Sequence, residues 1–176
     1  MDHTEITAGL FHLRPPRESE AADVLAMAGD SEVELYTPTL RGVTDLELAR
    51  AACRRWADWS DQVTFSILDS TTEEYLGHVM LIRFDAANSS AEIGYRVVPA
   101  ARGRGAATTA VRAMTGWGFA MLGLERIALL HIVENEASCR VAGKAGFLLE
   151  GTLRSDFRAG DGRLHDSHLH ARLAID

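Results

Sequence analysis

Cysteine is scarce in this 176-residue chain. Cys53 and Cys139 are the only two, too few for a disulfide framework. No stretch approaches the roughly 18 consecutive apolar residues of a membrane span. The opening segment, Met1-Asp2-His3-Thr4-Glu5, is acidic and lacks the basic start and apolar run of a signal peptide. A reducing cytoplasm is the expected setting, with no membrane partner. Also lacking are internal repeats, low-complexity tracts and any linker rich in Pro, Gly or Ser, so one domain is expected over 1–176. Basic residues (18) are outnumbered by acidic ones (25), giving a net charge of -7, and they form no runs. That balance argues against a nucleic-acid partner, because phosphate backbones need clustered cations. It suits a cationic partner such as an amine, or simply solubility.

What the chain has is apolar material and alternating patterns. Hydrophobic residues make up 47% of it, enough for a substantial core. Leu10–Arg14 alternates before Pro15-Pro16 and reads as a first strand. Ser19 is placed to cap a helix from about Glu20 to Met27, and Glu34–Pro38 reads as a loop. Thr44 and Glu47 form a potential capping box before a helix with Ala49, Ala52, Cys53 and Trp56 on one face. Thr64–Leu68, Tyr75–Ile82 and Ala91–Val98 are strands joined by polar turns. A long helix is predicted from Gly105 to Leu122, with Val111, Met114 and Met121 inward. Arg126–Ile132 is a buried strand, Ser138–Ala145 a short helix closed by Gly146, and Phe147–Arg154 and His165–Leu173 form a closing pair. The order predicts an α/β (α+β) fold on a largely antiparallel sheet.

The segment Arg102-Gly103-Arg104-Gly105-Ala106-Ala107 lies where a strand gives way to a helix. Glycines let the backbone turn tightly and approach a ligand. The first N–H groups of a helix have no internal partners, and with the helix dipole they make an anion site. The two arginines add charge, and pyrophosphate is the expected anion. An ordinary Gly-rich connection is the plainer reading. A phosphate loop of Walker type would need Gly-Lys-Ser/Thr, which is absent. A dinucleotide fold would need a parallel βαβ unit where the sequence reads as a meander.

Arg102, Gly105 and Ala107 spell Arg-x-x-Gly-x-Ala, which resembles the acetyl-CoA loop of the GNAT N-acetyltransferase superfamily. Further segments resemble its RimJ/RimL-type branch, named for ribosomal-protein N-terminal acetyltransferases. These are Leu13-Arg14-Pro15, Glu92–Val97, Thr108–Val111, Asn135–Ser138, Gly146-Phe147, Glu150–Arg154 and the late Asp166. The resemblance runs along nearly the whole chain. It implies a three-layer fold, with a mixed, mostly antiparallel sheet of about seven strands flanked by helices. It implies acetyl-CoA as cosubstrate, an amine acceptor, no metal, and a monomer or homodimer. The acceptor would be a protein N-terminus or a small cationic amine. The backbone from Arg102, Gly103 and Arg104 through Gly105, Ala106 and Ala107, with Thr108 nearby, would cradle the pyrophosphate. Val97 and Val98 would offer backbone bonds to the pantetheine arm. Asn135 would contact the arm, and Ser138 would lie near the thioester sulfur.

Such a reaction asks for a group to accept the amine proton, a donor to the tetrahedral oxyanion, and a hydroxyl for the leaving thiolate. Ser138 is the candidate hydroxyl, or else a helix cap. Glu92 is the candidate base, or else a salt-bridge or substrate-binding carboxylate; solvent could also take the proton. Tyr36 and Trp56 lie in the segment expected to wall the acceptor, with packing the plainer account of Trp56. Asp166, His168 and His170 would share a strand face and are metal-binding residue types, yet this fold needs no metal, and none is expected. Cys139 has no evident activating base and is expected in the core. No covalent nucleophile stands out, so direct transfer is expected. A non-catalytic acyl-CoA sensor on the same fold is the alternative.

Overall fold

The computed structural model describes residues 4–176. Residues 1–3, which open the acidic start, lie outside the described residues. Eight strands form one sheet: β1 (Ile6–Ala8), β2 (Phe11–Arg14), β3 (Val63–Asp69), β4 (Tyr75–Asp85), β5 (Ser90–Val97), β6 (Arg126–Ile132), β7 (Leu148–Arg158) and β8 (Leu164–Leu173). The spatial order is β1-β2-β3-β4-β5-β6-β8-β7. Five helices accompany them among the described residues: α1 (Ala21–Ala28), α2 (Ser31–Tyr36), α3 (Leu46–Asp58), α4 (Ala106–Leu122) and α5 (Glu136–Lys144). The strand beyond the expected seven is β1. At three residues it is too short to show alternation, and it pairs with β2 after a turn at Gly9 (φ 62°).

Alternation along the strands sends side chains to two faces. On one, Phe65, Ile67, Val79, Leu81 and Ile93 join Ala110, Val111, Met114 and Trp117 of α4. Trp117 meets Phe65 and Trp59 edge-on, with ring centroids 5.4 and 5.9 Å apart, and is part of the core. The other face carries Val24, Met27, Ala52, Cys53 and Trp56 with Tyr75. Each large apolar side chain so buried contributes about 1.5–3 kcal/mol relative to exposure.

Local chemistry moves several expected boundaries. α3 is capped by Asp45, whose carboxylate accepts from the Leu48 amide at 2.9 Å. Thr44 is therefore not the cap, and Glu47 instead pairs with Arg50 and Arg54. A carboxylate in an extended residue (φ -149°) next to the first turn satisfies the free amide directly. Glu34–Pro38 is not all loop, because Asp30 caps α2 through Val33 and carries the chain to Tyr36 in helix. Met121 is 65% exposed rather than inward. Its helical angle matches Met114, but the buried stripe of α4 stops at Trp117 and Gly118.

One pairing positions the site. All neighbouring strands are antiparallel except β5 and β6, which run parallel and pair only at Ser90↔Arg126, Ala91↔Ile127 and Glu92↔Ala128. Beyond those residues the two strands separate, and the sheet opens in its middle.

Candidate active site

A cleft of about 550 Å³ occupies the opening. Ile93–Val97 of β5 and Leu129–Ile132 of β6 form its sides, α5 closes one end, and Gly103, Gly105 and Ala106–Thr108 the other. α2 contributes Glu32, Val33 and Tyr36 to the rim.

The loop before α4 has the backbone that an anion site needs. Gly103 (φ 75°) and Gly105 (φ 83°) are both left-handed, a backbone that costs other residues. Gly105 is the N-cap of α4, and no side chain caps the helix. The first-turn amides at Ala106, Ala107 and Thr108 therefore face the cleft at the positive end of a 17-residue helix. The arginine side chains do not add free charge. Arg102 bonds Asp30 and reaches Glu32 at 3.3 Å, and Arg104 bonds Asp69 at 2.8 Å and Glu74 at 3.3 Å. Arg104 does not line the cleft. Each guanidinium ties the loop to a neighbouring segment, which leaves the backbone amides as the groups free for an anion. Burial alone would raise the Asp30 carboxyl. The Val33 amide and Arg102 outweigh it and hold it below its usual value.

Just past β5, Val98 donates its N–H to Leu76 at 2.9 Å, and its carbonyl accepts from Ala101 at 2.9 Å. In an antiparallel pair, successive residues turn their backbone groups to opposite sides. The N–H and C=O of Val97, and of Tyr95 two residues earlier, therefore point into the opening. Val98 is committed within the protein, and Val97 is the strand edge on offer.

Across the cleft, Asn135 caps α5 by accepting from the Ser138 amide at 3.0 Å. α5 thus begins at Glu136, two residues before the expected start, and Ser138 lies in its first turn rather than at the cap. The Ser138 hydroxyl is left to bond the Tyr95 phenol at 2.8 Å. Burial pushes the Tyr95 phenol up to about 12 against the opposing effect of Ser138, so it stays protonated at neutral pH. Sequence reading passed over Tyr95 within Glu92–Val97. Alternation was the available signal, since it sets Tyr95 and Val97 on the face opposite Glu92.

Glu92 is not with them. Its carboxylate accepts from Arg83 at 2.8 Å, it does not line the cleft, and it sits at the paired end of β5. On its face of β5, Arg96 donates to His78 Nε2 at 2.8 Å and to Thr39 Oγ1 at 2.5 Å. A guanidinium can only donate, so His78 Nε2 is the acceptor and Nδ1 carries the proton, facing the Tyr75 hydroxyl at 3.0 Å. Burial, with the Arg96 charge second, holds His78 well below its usual value and therefore neutral. Trp56 packs over His78, ring centroids 4.6 Å apart, and is core, whereas Tyr36 is half-buried on the rim.

The closing strand brings its histidines to unexpected partners. The β6–β8 register sets His131 opposite His168. His131, His168, His170 and Cys139 come together, with one ligand-type atom from each, all within 4.8 Å of one another. Asp166 is elsewhere, accepting from the Ser155 amide at 2.8 Å. Cys139 is half-buried among these rings rather than in the apolar core.

The acetyltransferase (GNAT) domain family matches residues 11–148. The uncharacterized N-acetyltransferase p20 of Bacillus licheniformis is 34% identical over 160 residues, 89% of this chain and 89% of that protein. Spermidine N(1)-acetyltransferase of Escherichia coli (strain K12) is 32% identical over 84 residues, 48% of this chain and 45% of that one. Among solved structures, Mycobacterium smegmatis RimJ in complex with CoA-disulfide superposes with a TM-score of 0.84 at 26% identity. The match covers 98% of this chain and 87% of that chain.

Proposed function

The chain belongs to the GNAT acetyltransferase family, on its RimJ/RimL-like side, and from that premise we propose that it acetylates the α-amine of a peptide or protein N-terminus by direct attack on acetyl-CoA. Membership makes it an N-acetyltransferase that uses acetyl-CoA. The acceptor, the residue roles and the mechanism are our reading. The observation that carries them is the open seam between β5 and β6, which leads from the bare amides of α4 to the Tyr95–Ser138 hydroxyl pair.

In this reading the pyrophosphate lies on the amides from Gly103 to Thr108, and the pantetheine arm runs along Val97 as an added strand. The thioester then reaches Tyr95 and Ser138, with Asn135 beside it. The acceptor nitrogen attacks the carbonyl carbon, the C–S bond breaks, and the thiolate leaves toward the two hydroxyls. A thiol near ~8.5 is more acidic than a phenol at about 12. The hydroxyl pair therefore stabilises the thiolate by hydrogen bonding rather than by full proton transfer. Glu92 is held by Arg83 outside the cleft, so solvent takes the amine proton. An α-amine near ~8 suits that route, being about one-tenth neutral at pH 7.

The rim supports a peptide end over a polyamine. Among the described residues Glu32 is the single acidic side chain lining the cleft, and it is reached by Arg102 at 3.3 Å, while Arg96, Arg140 and Lys144 also line it. A polyamine with several ammonium groups would want an acidic cage. Tyr36 at the rim then packs against the first acceptor residue. The experiment is thiol release from acetyl-CoA with N-terminal peptides and with spermidine. Peptide-dependent release at catalytic rates is expected. Release with spermidine alone overturns the acceptor assignment. Saturable acetyl-CoA binding without release from any amine identifies a sensor instead.

A further inference from the structure

We propose that His131, Cys139, His168 and His170 form a binding site for a divalent cation of the zinc class. Three elements build it. β6 and β8 set His131 directly opposite His168, and His170 follows two residues on, pointing to the same face. α5 lies across that face and brings Cys139 down onto the rings. The donors are three imidazole nitrogens and one thiol sulfur. Four-coordinate zinc takes such a mixed set, whereas harder cations such as magnesium and calcium prefer oxygen.

The spacing fits a tetrahedron. Zinc–nitrogen bonds of about 2.0–2.1 Å place two nitrogens of one tetrahedron about 3.3 Å apart. His131 Nε2 and His170 Nε2 are 3.2 Å apart. All four donors fall within 4.8 Å, so side-chain adjustment alone can close the set. The outer contacts suit the role as well. His131 Nδ1 lies 2.8 Å from the Ile132 carbonyl, which can only accept, so Nδ1 carries the proton and Nε2 presents its lone pair inward. His168 Nδ1 is buried with no hydrogen-bond partner, and a buried orphan nitrogen of this kind is ordinarily met by water or an ion. His170, 3% exposed, offers Nε2.

Four protein ligands leave no open position, so the cation is structural rather than hydrolytic. It ties α5 to the end of β6, next to the seam. Cys139 directly follows Ser138, and a tie at Cys139 fixes the turn that holds the Ser138 hydroxyl against Tyr95. The site itself does not depend on the acetyl-transfer reading.

The test uses the full chain, stripped with a chelator and titrated with Co²⁺ and then Zn²⁺. Expected are about one cation per chain, a tetrahedral cobalt spectrum with a thiolate-to-cobalt charge-transfer band, and a rise in Tm with Zn²⁺. Cys139→Ser should abolish the charge-transfer band. His168→Gln should weaken binding by more than the roughly 10–100-fold that follows loss of an outer partner. Circular dichroism of each variant separates misfolding from ligand loss. A folded protein that takes up no cation overturns the site. So does stoichiometric binding that lacks the thiolate band or survives both substitutions.

Discussion

In the proposed reaction, two hydroxyls and their setting carry the chemistry at the residue scale. Ser138 is free to serve because Asn135 takes the capping role that Ser138 could have filled. Tyr95→Phe removes the phenol while keeping the ring, and kcat should fall roughly 10- to 100-fold with little change in acetyl-CoA affinity. Ser138→Ala should lower kcat in the same direction. The double variant should fall short of additivity, because the two hydroxyls share one hydrogen bond. Steady-state kinetics with direct binding measurements check this, and equal losses in affinity and turnover would point to a positional role. Ser138 was legible through the family pattern Asn135–Ser138. The face of Tyr95 was legible from alternation, but its partner, 43 residues away in sequence, was not.

Elements act here through their ends. α4 contributes its bare first turn, and Gly105 makes that turn possible at φ 83°. A Cβ at Gly105 would meet nothing within 4 Å, so the position has room and the constraint lies in the backbone and the ligand. Gly105→Glu should reduce acetyl-CoA affinity more than tenfold, by strain and by negative charge at the pyrophosphate site. Gly105→Asn, a residue that tolerates the left-handed region, should retain more. Calorimetric titration of folded variants decides it, and unchanged affinity in Gly105→Glu would remove the loop from the binding site. The turn between β7 and β8 acts on the other rim. Gly160 donates its N–H to Leu35 at 2.8 Å, and a Cβ there would lie 2.1 Å from the Glu34 carbonyl. Gly160→Ala should push this turn off α2, raising the acceptor KM more than that of acetyl-CoA. An unaltered acceptor KM would detach α2 from the acceptor wall. The glycine loop was visible as a pattern. The α2–Gly160 contact was not, because it joins a helix read as loop to a turn far along the chain.

At the scale of the whole molecule, buried titratable groups set the response to acid. Burial and the Arg96 charge depress the His78 imidazole, so the unfolded chain takes up a proton before the folded one does. Stability from this group is full above about pH 6.5 and is lost as pH falls below it toward the folded value. His165 has the opposite sign. Asp161 and Glu134 raise it, so its contribution is present below about pH 6.5 and fades as pH rises through its folded value. That pair network is solvent-screened, and the buried term should dominate. Tm is expected to be lower near pH ~5.5 than near pH ~7.5, with the His78 ring resonance unmoved between them and that of His165 titrating. A Tm that rises on acidification would contradict a neutral His78. The sequence by itself determined the order of the longer elements, most of their buried faces, the glycine-rich helix start and the family pattern that runs through them. These follow from periodicity and local backbone chemistry, which act between near neighbours. Only the tertiary structure decided where β5 and β6 part, that both loop arginines are spent on carboxylates, that Glu92 stands outside the cleft, and that Cys139 joins three histidines. Each of those depends on register or packing between segments distant in the chain, and no local pattern encodes which residues meet. The loop's first-turn amides are uncapped, as the expected amide cradle requires, while its arginine side chains are held by carboxylates and add no free charge.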